Sequence, residues 1–309
     1  MKLQVSTRRS LTADIEEFTL TLPDGSSLPE AEPGANVTIT TPSGANRRYS
    51  VVHPGKDLSA YTVAIKLEPN SRGGSESMIK QATVGSLLDV SLPENEFPLG
   101  NNPQVLLIAG GIGITPIYSM AQELSNKGRQ FRVIYCTREA SQTAYIDEMK
   151  QLCGEKLTVH FSHGNPSERF DFWDLLATPT AEHIYCCGPE AIMEEIMAVT
   201  GHWPDGRIHL EKFKPIEVVR DDDKPFTVVL AKSGKSIKIP ADRTILEAMR
   251  DQNLPVSSSC ENGTCGTCKC GYTDGEVDHR DLVLMDEEKG DSIMLCVSRA
   301  KGDHLVLDI

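Results

Sequence analysis

A cluster of closely spaced cysteines constrains the C-terminal part of this chain more than any other feature. Cys260, Cys265 and Cys268 have the spacing C-x4-C-x2-C, and Cys296 follows after another 27 residues. Glycine, serine and threonine surround the first three thiols, and such small residues let a loop wrap closely around a bound group. The chain must therefore fold around whatever these cysteines hold.

The cysteine spacing indicates which group is bound. C-x4-C-x2-C with a distant fourth cysteine matches the plant-type ligand pattern for a [2Fe–2S] cluster. A structural zinc site is the alternative, but zinc sites usually contain two C-x2-C pairs, and this stretch has one. We therefore predict Cys260, Cys265, Cys268 and Cys296 as metal ligands, and Cys270 as an extra thiol that binds nothing.

Composition limits the location and the partners of the protein. A chain of 309 residues is long enough for two or three domains. It has no apolar run near the ~20 residues of a membrane span and no apolar signal segment, so we expect a cytoplasmic protein that does not bind a membrane. Clustered cysteines in that compartment bind metals or carry redox chemistry more often than they form disulfides. The net charge of −13 argues against nucleic-acid binding and is compatible with a partner that has a basic docking face.

The first part of the chain, residues 1–102, predicts a small antiparallel β-barrel. Short segments of roughly alternating polarity are separated by turn-forming residues. One helix start interrupts them, after RGGSES. The predicted strands are LQVSTR, EEFTLTL, NVTITT, RRYSVV, YTVAIKL and LLDVSL.

The second part, residues 103–220, alternates between strand and helix patterns. QVLLIAG is a continuous apolar run, as expected for a strand covered on both faces. A glycine-rich turn and a helix follow, with Thr115 as the predicted N-cap, Pro116 as the first helical position and Gly128 as the stop. Repetition of this pattern predicts an α/β domain with a parallel sheet of the dinucleotide-binding kind.

The third part, residues 221–309, begins within VVRDDDKP, where a linker is predicted because the apolar content is low and the acidic residues run together. FTVVLAKSGKSIKIP predicts a hairpin, and Asp242 is predicted to cap the helix that follows it. A helical MDEEKG segment and a closing strand in SRAKGDHLVLDI complete the pattern.

Four further motifs carry chemistry. RRYS lies in a barrel strand at 47–50, and RGGSES at 72–77 opens a helix. AGGIGITP at 109–116 connects a strand to a helix, and CCGP at 186–189 follows a later strand. Glycine-rich turns at helix starts let backbone N–H groups approach a phosphate.

Together the motifs and the domain order resemble a known family. Residues 224–309 resemble a plant-type ferredoxin domain with an α+β (β-grasp) fold, and the first 220 residues resemble the ferredoxin–NADP reductase superfamily. The order of flavin barrel, nicotinamide domain and ferredoxin resembles the phthalate dioxygenase reductase family. Members of that family pass electrons from NADH to Rieske-type oxygenases.

The resemblance implies a flavin site in the barrel. Arg47 would pair with the flavin phosphate, Tyr49 would lie against the isoalloxazine, and Ser50 would bond its polar edge. FMN is expected rather than FAD, because members with this domain order use FMN and the sequence has no recognisable adenine site. The remaining implied flavin contacts are Lys66, Arg72, Gly73, Gly74, Ser75 and Ser77.

The resemblance also implies a nicotinamide site, with Cys187 near the carbon that gives up hydride and Phe213 at the flavin face. Cys187, Thr115 and Ser50 are the implied catalytic residues. Glu139 could accept a hydrogen bond from a ribose 2′-hydroxyl, whereas Arg138 suits a 2′-phosphate; the family favours NADH. The other implied nucleotide contacts are Gly110, Gly111, Gly113, Pro116, Gly188 and Pro189.

The predicted function is electron transfer from NADH through FMN and a [2Fe–2S] cluster to a terminal oxygenase, by a monomer that docks transiently. A flavin is needed because hydride carries two electrons and the cluster accepts one. Two alternatives stay open: the same electron path serving a di-iron or haem acceptor, and a flavin and iron–sulfur redox sensor. His53, His163 and His209 have no partners at ligand spacing and are expected in core or surface roles.

Overall fold

The structure is a computed structural model that describes residues 1–56, 58–68, 73–213, 220, 222–258, 261, 263 and 266–309. It consists of two compact units, Met1–Phe213 and Lys214–Ile309. The first unit holds an antiparallel sheet and a parallel sheet, and the second holds a small mixed sheet, so the three predicted folds are confirmed. The domain boundaries at 102/103 and 220/221 stay predictions.

The N-terminal sheet has six antiparallel strands in the order β4-β3-β6-β1-β2-β5. The Val52 N–H donates to the Thr62 carbonyl at 2.9 Å, which joins the chain after β4 to β5 and so links the two edges. Inward-facing apolar residues such as Leu3 and Phe18 are fully buried, as the alternating pattern predicts. The elements are β1 (Lys2–Ser10), β2 (Ile15–Thr21), β3 (Asn36–Thr40), β4 (Asn46–Ser50), β5 (Tyr61–Lys66), α1 (Gly74–Gln81) and β6 (Leu87–Val90).

The parallel sheet of the first unit has the strand order β11-β10-β7-β8-β9. All five strands run in one direction, so their carboxyl ends share one edge. The chain passes from β7 outward to β8 and β9 on one side, and later to β10 and β11 on the other. The switch point between β7 and β10 is where open α/β sheets bind ligands. The elements are β7 (Gln104–Gly110), α2 (Ile114–Asn126), β8 (Gln130–Thr137), α3 (Ile146–Cys153), β9 (Leu157–Phe161), α4 (Trp173–Leu176), β10 (His183–Cys187), α5 (Glu190–Thr200) and β11 (Ile208–Glu211).

Helix α2 starts differently from the prediction. It begins at Ile114 directly after a single 3₁₀ turn, Gly111–Gly113, and Thr115 lies inside its first turn. The Thr115 hydroxyl donates to the Ile112 carbonyl at 3.1 Å. The predicted Thr115 N-cap is therefore wrong, because the glycine turn leads into the helix without a side-chain cap. The predicted stop is confirmed: Gly128 has a φ of 61° just past the helix end.

The second unit contains a five-stranded sheet in the order β13-β12-β18-β14-β16 and a two-stranded pair, β15 with β17. The predicted hairpin, β12 with β13, is confirmed as an antiparallel pair. In the described part of the chain no helix has the length and apolar character needed to cross a membrane. The elements are β12 (Phe226–Leu230), β13 (Ser236–Ile239), α6 (Ile245–Asp251), β14 (Lys269–Asp274), β15 (Val277–Asp278), β16 (Ser292–Met294), β17 (Arg299–Ala300) and β18 (His304–Leu307).

Two local predictions in the second unit are wrong. Thr244, not Asp242, caps α6: its hydroxyl accepts the Glu247 N–H at 3.0 Å, and the Glu247 carboxylate accepts the Thr244 N–H at 3.0 Å. MDEEKG forms turns rather than a helix. There the Glu288 carboxylate accepts the Met285 N–H at 2.9 Å, so a side chain fixes the turn.

The acidic stretch predicted as a linker has a structural role. The Asp223 side chain is 7% exposed and forms ion pairs with Arg280 at 2.5 Å and with Arg299 at 3.4 Å. Arg299 is itself buried and donates to the carbonyl oxygens of Arg243 and Pro240. A buried guanidinium needs such partners, so Asp223 is a structural residue of the second unit at the end of the predicted linker.

Candidate functional site

Two buried hydroxyl groups on β4 mark the flavin site predicted in the barrel. The Tyr49 and Ser50 hydroxyls are inaccessible to solvent and have no hydrogen-bond partner among the described residues. Burial raises the pKa of Tyr49 above its ordinary value. Because an unsatisfied buried polar group costs about 1–3 kcal/mol, such groups normally have a partner. These two hydroxyls therefore fit contact with the polar edge of a bound ring.

The start of α1 forms the predicted phosphate site with Arg47. Gly73 has a φ of 83°, and a Cβ on Gly74 would lie 2.6 Å from Arg47 Nε. A larger residue at position 74 would displace the Arg47 side chain from the helix start. A guanidinium beside helix N–H groups is a favourable site for a phosphate.

The other predicted flavin contacts differ in the groups that they contact in the structure. The Ser77 hydroxyl donates to the Gly74 carbonyl at 2.9 Å and accepts the Ser43 N–H at 3.3 Å, so it braces the loop. Lys66 forms an ion pair with Glu68 at 3.1 Å. Ser75 lies in the first turn of α1. Arg72 lies outside the described residues.

The two glycine loops of the parallel sheet touch each other at the switch point. A Cβ on Gly113 would lie 2.2 Å from the Cys187 carbonyl oxygen, and a Cβ on Gly188 would lie 2.9 Å from the Gly110 Cα. Gly110, Gly113 and Gly188 are therefore required for contact between the loops, in addition to the predicted approach to a pyrophosphate. Gly111, with a φ of 54°, faces open space.

Two helices begin at these loops. α2 starts after Gly113, and α5 starts after Pro189, which is its N-cap residue. Pro116 lies in the first turn of α2. Helix N-termini carry unsatisfied N–H groups and partial positive charge, so their convergence at the switch point suits an anion such as a pyrophosphate.

Cys187 and Glu211 form the most strongly perturbed pair of acids at this edge. They are register partners at the ends of β10 and β11, and each group shifts the pKa of the other. Burial raises the pKa of Glu211 to about 8, and burial together with the adjacent carboxyl raises the pKa of Cys187 well above its ordinary value. Glu211 Oε2 is buried without a partner among the described residues, so it can bond a polar group of a ligand.

Residues of the barrel surround Glu211. The charge of Arg48 lowers the pKa of Glu211, and the charge of Glu96 raises it. Arg48 is held in place by Asn36 at 2.7 Å and by Glu96 at 2.8 Å. Neither Arg48 nor Glu211 is among the residues predicted from the sequence to form the site. A carboxylate inside the apolar strand segment HLEKF was the available signal.

The flavin and nicotinamide motifs are packed together in the first unit. Cys187 belongs to the same buried core as Val52 and Ala64 of the barrel, and Phe213 packs against that core. The turn Gly111–Gly113 contacts β5 of the barrel. The two predicted sites are therefore neighbours.

The remaining predicted nucleotide contacts lie further along the same edge. Arg138 and Glu139 are exposed just past the carboxyl end of β8. His209 Nε2 lies 3.3 Å from His183 Nδ1, because β10 and β11 are adjacent, a contact that sequence spacing does not reveal. His53 hydrogen-bonds to Gln122 near the surface.

Two of the four predicted cluster ligands are described, and the fold brings their backbones together. Cys268 precedes β14 and Cys296 follows β16; both are buried, and the Leu295 N–H donates to the Cys268 carbonyl at 3.2 Å. Gly263 and Gly266 have φ values of 71° and 78°, which tightly curved loops require. Cys260 and Cys265 lie outside the described residues.

Cys270 is separate from this pair. It lies within β14, its side chain is in the core, and its thiol donates to the carbonyl of Gly271 at 3.3 Å. Burial raises the pKa of its thiol to about 11. The fold and the site together define an NADH-dependent flavin and iron–sulfur oxidoreductase that transfers electrons.

Comparison with known proteins agrees with this class. Residues 107–198 match the family model of the oxidoreductase NAD-binding domain, and residues 228–301 match that of the 2Fe-2S iron-sulfur cluster binding domain. The chain is 46% identical to phthalate dioxygenase reductase of Burkholderia cepacia over 313 residues, which cover 100% of this chain and 97% of the relative. It belongs to the phthalate dioxygenase reductase family.

Solved structures extend the comparison. A structure of phthalate dioxygenase reductase matches with a TM-score of 0.90 at 45% identity, covering 100% of this chain and 98% of the other. An intact type IV self-sufficient cytochrome P450 monooxygenase matches with a TM-score of 0.73 at 35% identity, covering 100% of this chain and 41% of the other. The cofactors of this chain are FMN, NADH and a [2Fe–2S] cluster, and the zinc alternative is excluded.

Proposed function

We propose that this chain is the reductase component of a Rieske-type oxygenase system. It passes electrons from NADH through FMN and the [2Fe–2S] cluster to the terminal oxygenase. The main support is the shared core of the first unit, which places Cys187 beside barrel residues and the glycine turn against β5. A bound flavin accepts two electrons from NADH and releases them singly, which is the chemistry the protein has to arrange.

The residues take distinct roles in this proposal. Arg47, Arg72, Gly73, Gly74 and Ser75 hold the FMN phosphate, while Ser77 braces their loop through Ser43 and Gly74. Tyr49 and Ser50 contact the ring, where their buried hydroxyls gain partners. Lys66 and Phe213 flank the flavin. The cluster ligands are Cys260, Cys265, Cys268 and Cys296.

The nucleotide residues bind and position NADH. Gly111, Thr115 and Pro116 form the turn and helix start that receive the pyrophosphate, and Gly110, Gly113, Gly188 and Pro189 keep the two loops in contact. Glu139 accepts a hydrogen bond from the ribose 2′-hydroxyl of NADH, and Arg138 does not pair with a 2′-phosphate. Cys187 and Glu211 exclude water and supply a neutral pair beside the nicotinamide. We further propose a cytoplasmic monomer, in keeping with its thiol-ligated cluster.

The test is reconstitution with a terminal oxygenase. The protein, NADH, phthalate and purified phthalate dioxygenase are mixed, and hydroxylated product is measured per NADH consumed. The proposal predicts product only when the protein and NADH are both present, and anaerobic bleaching of the iron–sulfur absorbance of the dioxygenase. Rapid flavin reduction with no electron reaching any Rieske oxygenase tested would contradict the Rieske assignment.

A haem acceptor is the second candidate. It is favoured by the match of the whole chain to part of a self-sufficient cytochrome P450 monooxygenase. The same mixture with a carbon monoxide-treated P450 distinguishes the two, since electron delivery gives the 450 nm absorbance of the ferrous complex. If the protein is a redox sensor, neither the hydroxylated product nor the absorbance of the ferrous P450 complex is expected.

A further inference from the structure

Two exposed apolar side chains lie beside the cysteine loop. Leu282 is 65% exposed and Met285 is 68% exposed, more than any other large apolar side chain in the part of the chain that the structure describes. Isolated exposed apolar residues are common, whereas two that lie three positions apart in one backbone segment are a candidate interaction surface. We call these two side chains the apolar patch.

The patch borders the predicted cluster ligands. The Leu282 N–H donates to the carbonyl of Gly263 at 3.0 Å, and Gly263 lies between Cys260 and Cys265 in the sequence. Val283, the next residue, is 3.9 Å from the position of a Cβ on Gly266. A protein seated on the patch would therefore cover the edge of the cysteine loop.

Hydrogen bonds hold the patch backbone in one conformation. The Asp281 carboxylate, which is fully buried, accepts the N–H groups of Val283 at 3.3 Å and Leu284 at 2.8 Å. Leu284 is buried in the core. Because this backbone is fixed, Leu282 and Met285 stay directed outward, and a partner loses less conformational entropy on binding them.

Acidic side chains rim the patch on one side. Asp286 and Glu287 directly follow Met285; the Asp286 side chain is 95% exposed and Glu287 is exposed. Lys289 pairs with Asp286 at 2.8 Å, and that pair is open to solvent. An apolar centre with an acidic rim complements an apolar centre with a basic rim.

We propose that Leu282 and Met285 are the anchors on which an electron-accepting protein docks, with lysine or arginine side chains surrounding its own apolar contact. In each docking event one electron leaves the reduced cluster, which is oxidised, and the metal centre of the acceptor is reduced. One NADH, oxidised to NAD⁺ with release of a proton, supplies through the flavin the two electrons for two such events. The inference rests on the proposed function, because it requires a cluster that delivers electrons to a protein.

The test uses horse cytochrome c, a basic one-electron acceptor protein, as the probe. Leu282→Ser and Met285→Ser are compared with Leu92→Ser, which replaces a side chain that is 62% exposed in the first unit. The two patch variants are expected to raise the KM for cytochrome c about tenfold each, as anchor residues do. The control variant and all NADH–ferricyanide rates are expected to match the wild type, since ferricyanide needs no docking surface.

The acidic rim is tested with Asp286→Asn and Glu287→Gln combined. This variant is expected to weaken the fall of the cytochrome c rate with added NaCl. Unchanged visible absorbance of the cluster confirms that each variant is folded. Patch variants with wild-type KM overturn the proposal, as does a wild type that reduces ferricyanide but not cytochrome c.

Two other results have separate meanings. A dimer that becomes a monomer in Met285→Ser assigns the patch to self-association and overturns the docking proposal. Absence of flavin bleaching by NADH in the wild type instead contradicts the proposed function itself. The two failures are therefore distinguishable.

Discussion

The buried carboxyl group of Glu211 provides the sharpest prediction about the nicotinamide site. Burial raises its pKa to about 8 from an ordinary value of 4.5. At pH 7 the neutral form therefore exceeds the ionised form about tenfold. Glu211→Gln keeps the shape and the neutral state but cannot ionise, so the variant isolates the effect of the charge.

The sign of the pH dependence follows from proton binding. Between pH 4.5 and 8 the folded protein holds a proton on Glu211 that the unfolded chain releases, so stability falls as pH rises through this window. The slope is about 1.4 kcal/mol per pH unit near pH 6 and falls to about half of that at pH 8, where the folded protein itself begins to release the proton, which gives about 2 kcal/mol between pH 6 and pH 8. The free energy of unfolding of Glu211→Gln should lack that decrease.

Urea unfolding at pH 6 and pH 8 measures this difference in the free energy of unfolding. Flavin release and circular dichroism report the unfolding of the first unit. Glu194→Gln removes an exposed carboxyl of the same unit and is the matched control. In stopped-flow experiments, wild-type flavin reduction by NADH should change with an apparent pKa near 8, and Glu211→Gln should give a flat profile. If Glu211→Gln retains the pH dependence of the wild type in both assays, the reasoning about this carboxyl is wrong.

Three further predictions concern single contacts. Asp223→Asn removes the carboxylate that faces the buried Arg299 and that shares the buried Arg280 with Asp278, and should destabilise the second unit by about 3 kcal/mol, measured as thermal loss of the cluster absorbance, while the exposed Asp222→Asn should have little effect. Tyr145, the residue before α3, donates a 2.8 Å hydrogen bond from its hydroxyl to the buried Glu17 of the barrel. Tyr145→Phe removes this bond, so differential scanning calorimetry should show the first unit destabilised by about 1–2 kcal/mol; a wild-type melting curve would contradict this. Cys270→Ser should leave the iron–sulfur absorbance intact and Cys296→Ser should damage or abolish it; the reverse result would reassign the fourth ligand.

The sequence predicted the parts of the fold whose periodicity is local. β7 is an uninterrupted apolar run because both of its faces are covered, and the alternating barrel strands are half-buried. The cysteine spacing and the glycine loops could also be recognised in the sequence, because each is a short local motif with a direct chemical requirement.

The rest depends on contacts between distant residues. Glu211 becomes notable only when β11 pairs with β10 and places it beside Cys187. In the sequence Asp223 is one of three consecutive acidic residues of the predicted linker, and its two buried arginine partners lie far along the chain. The pairing of His183 with His209 likewise requires the strand order. Sequence spacing alone carries none of this information.

The central claim is that NADH, FMN and the [2Fe–2S] cluster form one electron path in this chain. Anaerobic titration with NADH, followed by flavin absorbance and by electron paramagnetic resonance, tests it most directly. The account predicts flavin bleaching together with the signal of a reduced [2Fe–2S] cluster, and loss of the cluster signal but not of flavin bleaching in Cys296→Ser. Flavin bleaching in the wild type with a cluster that stays oxidised would contradict the account.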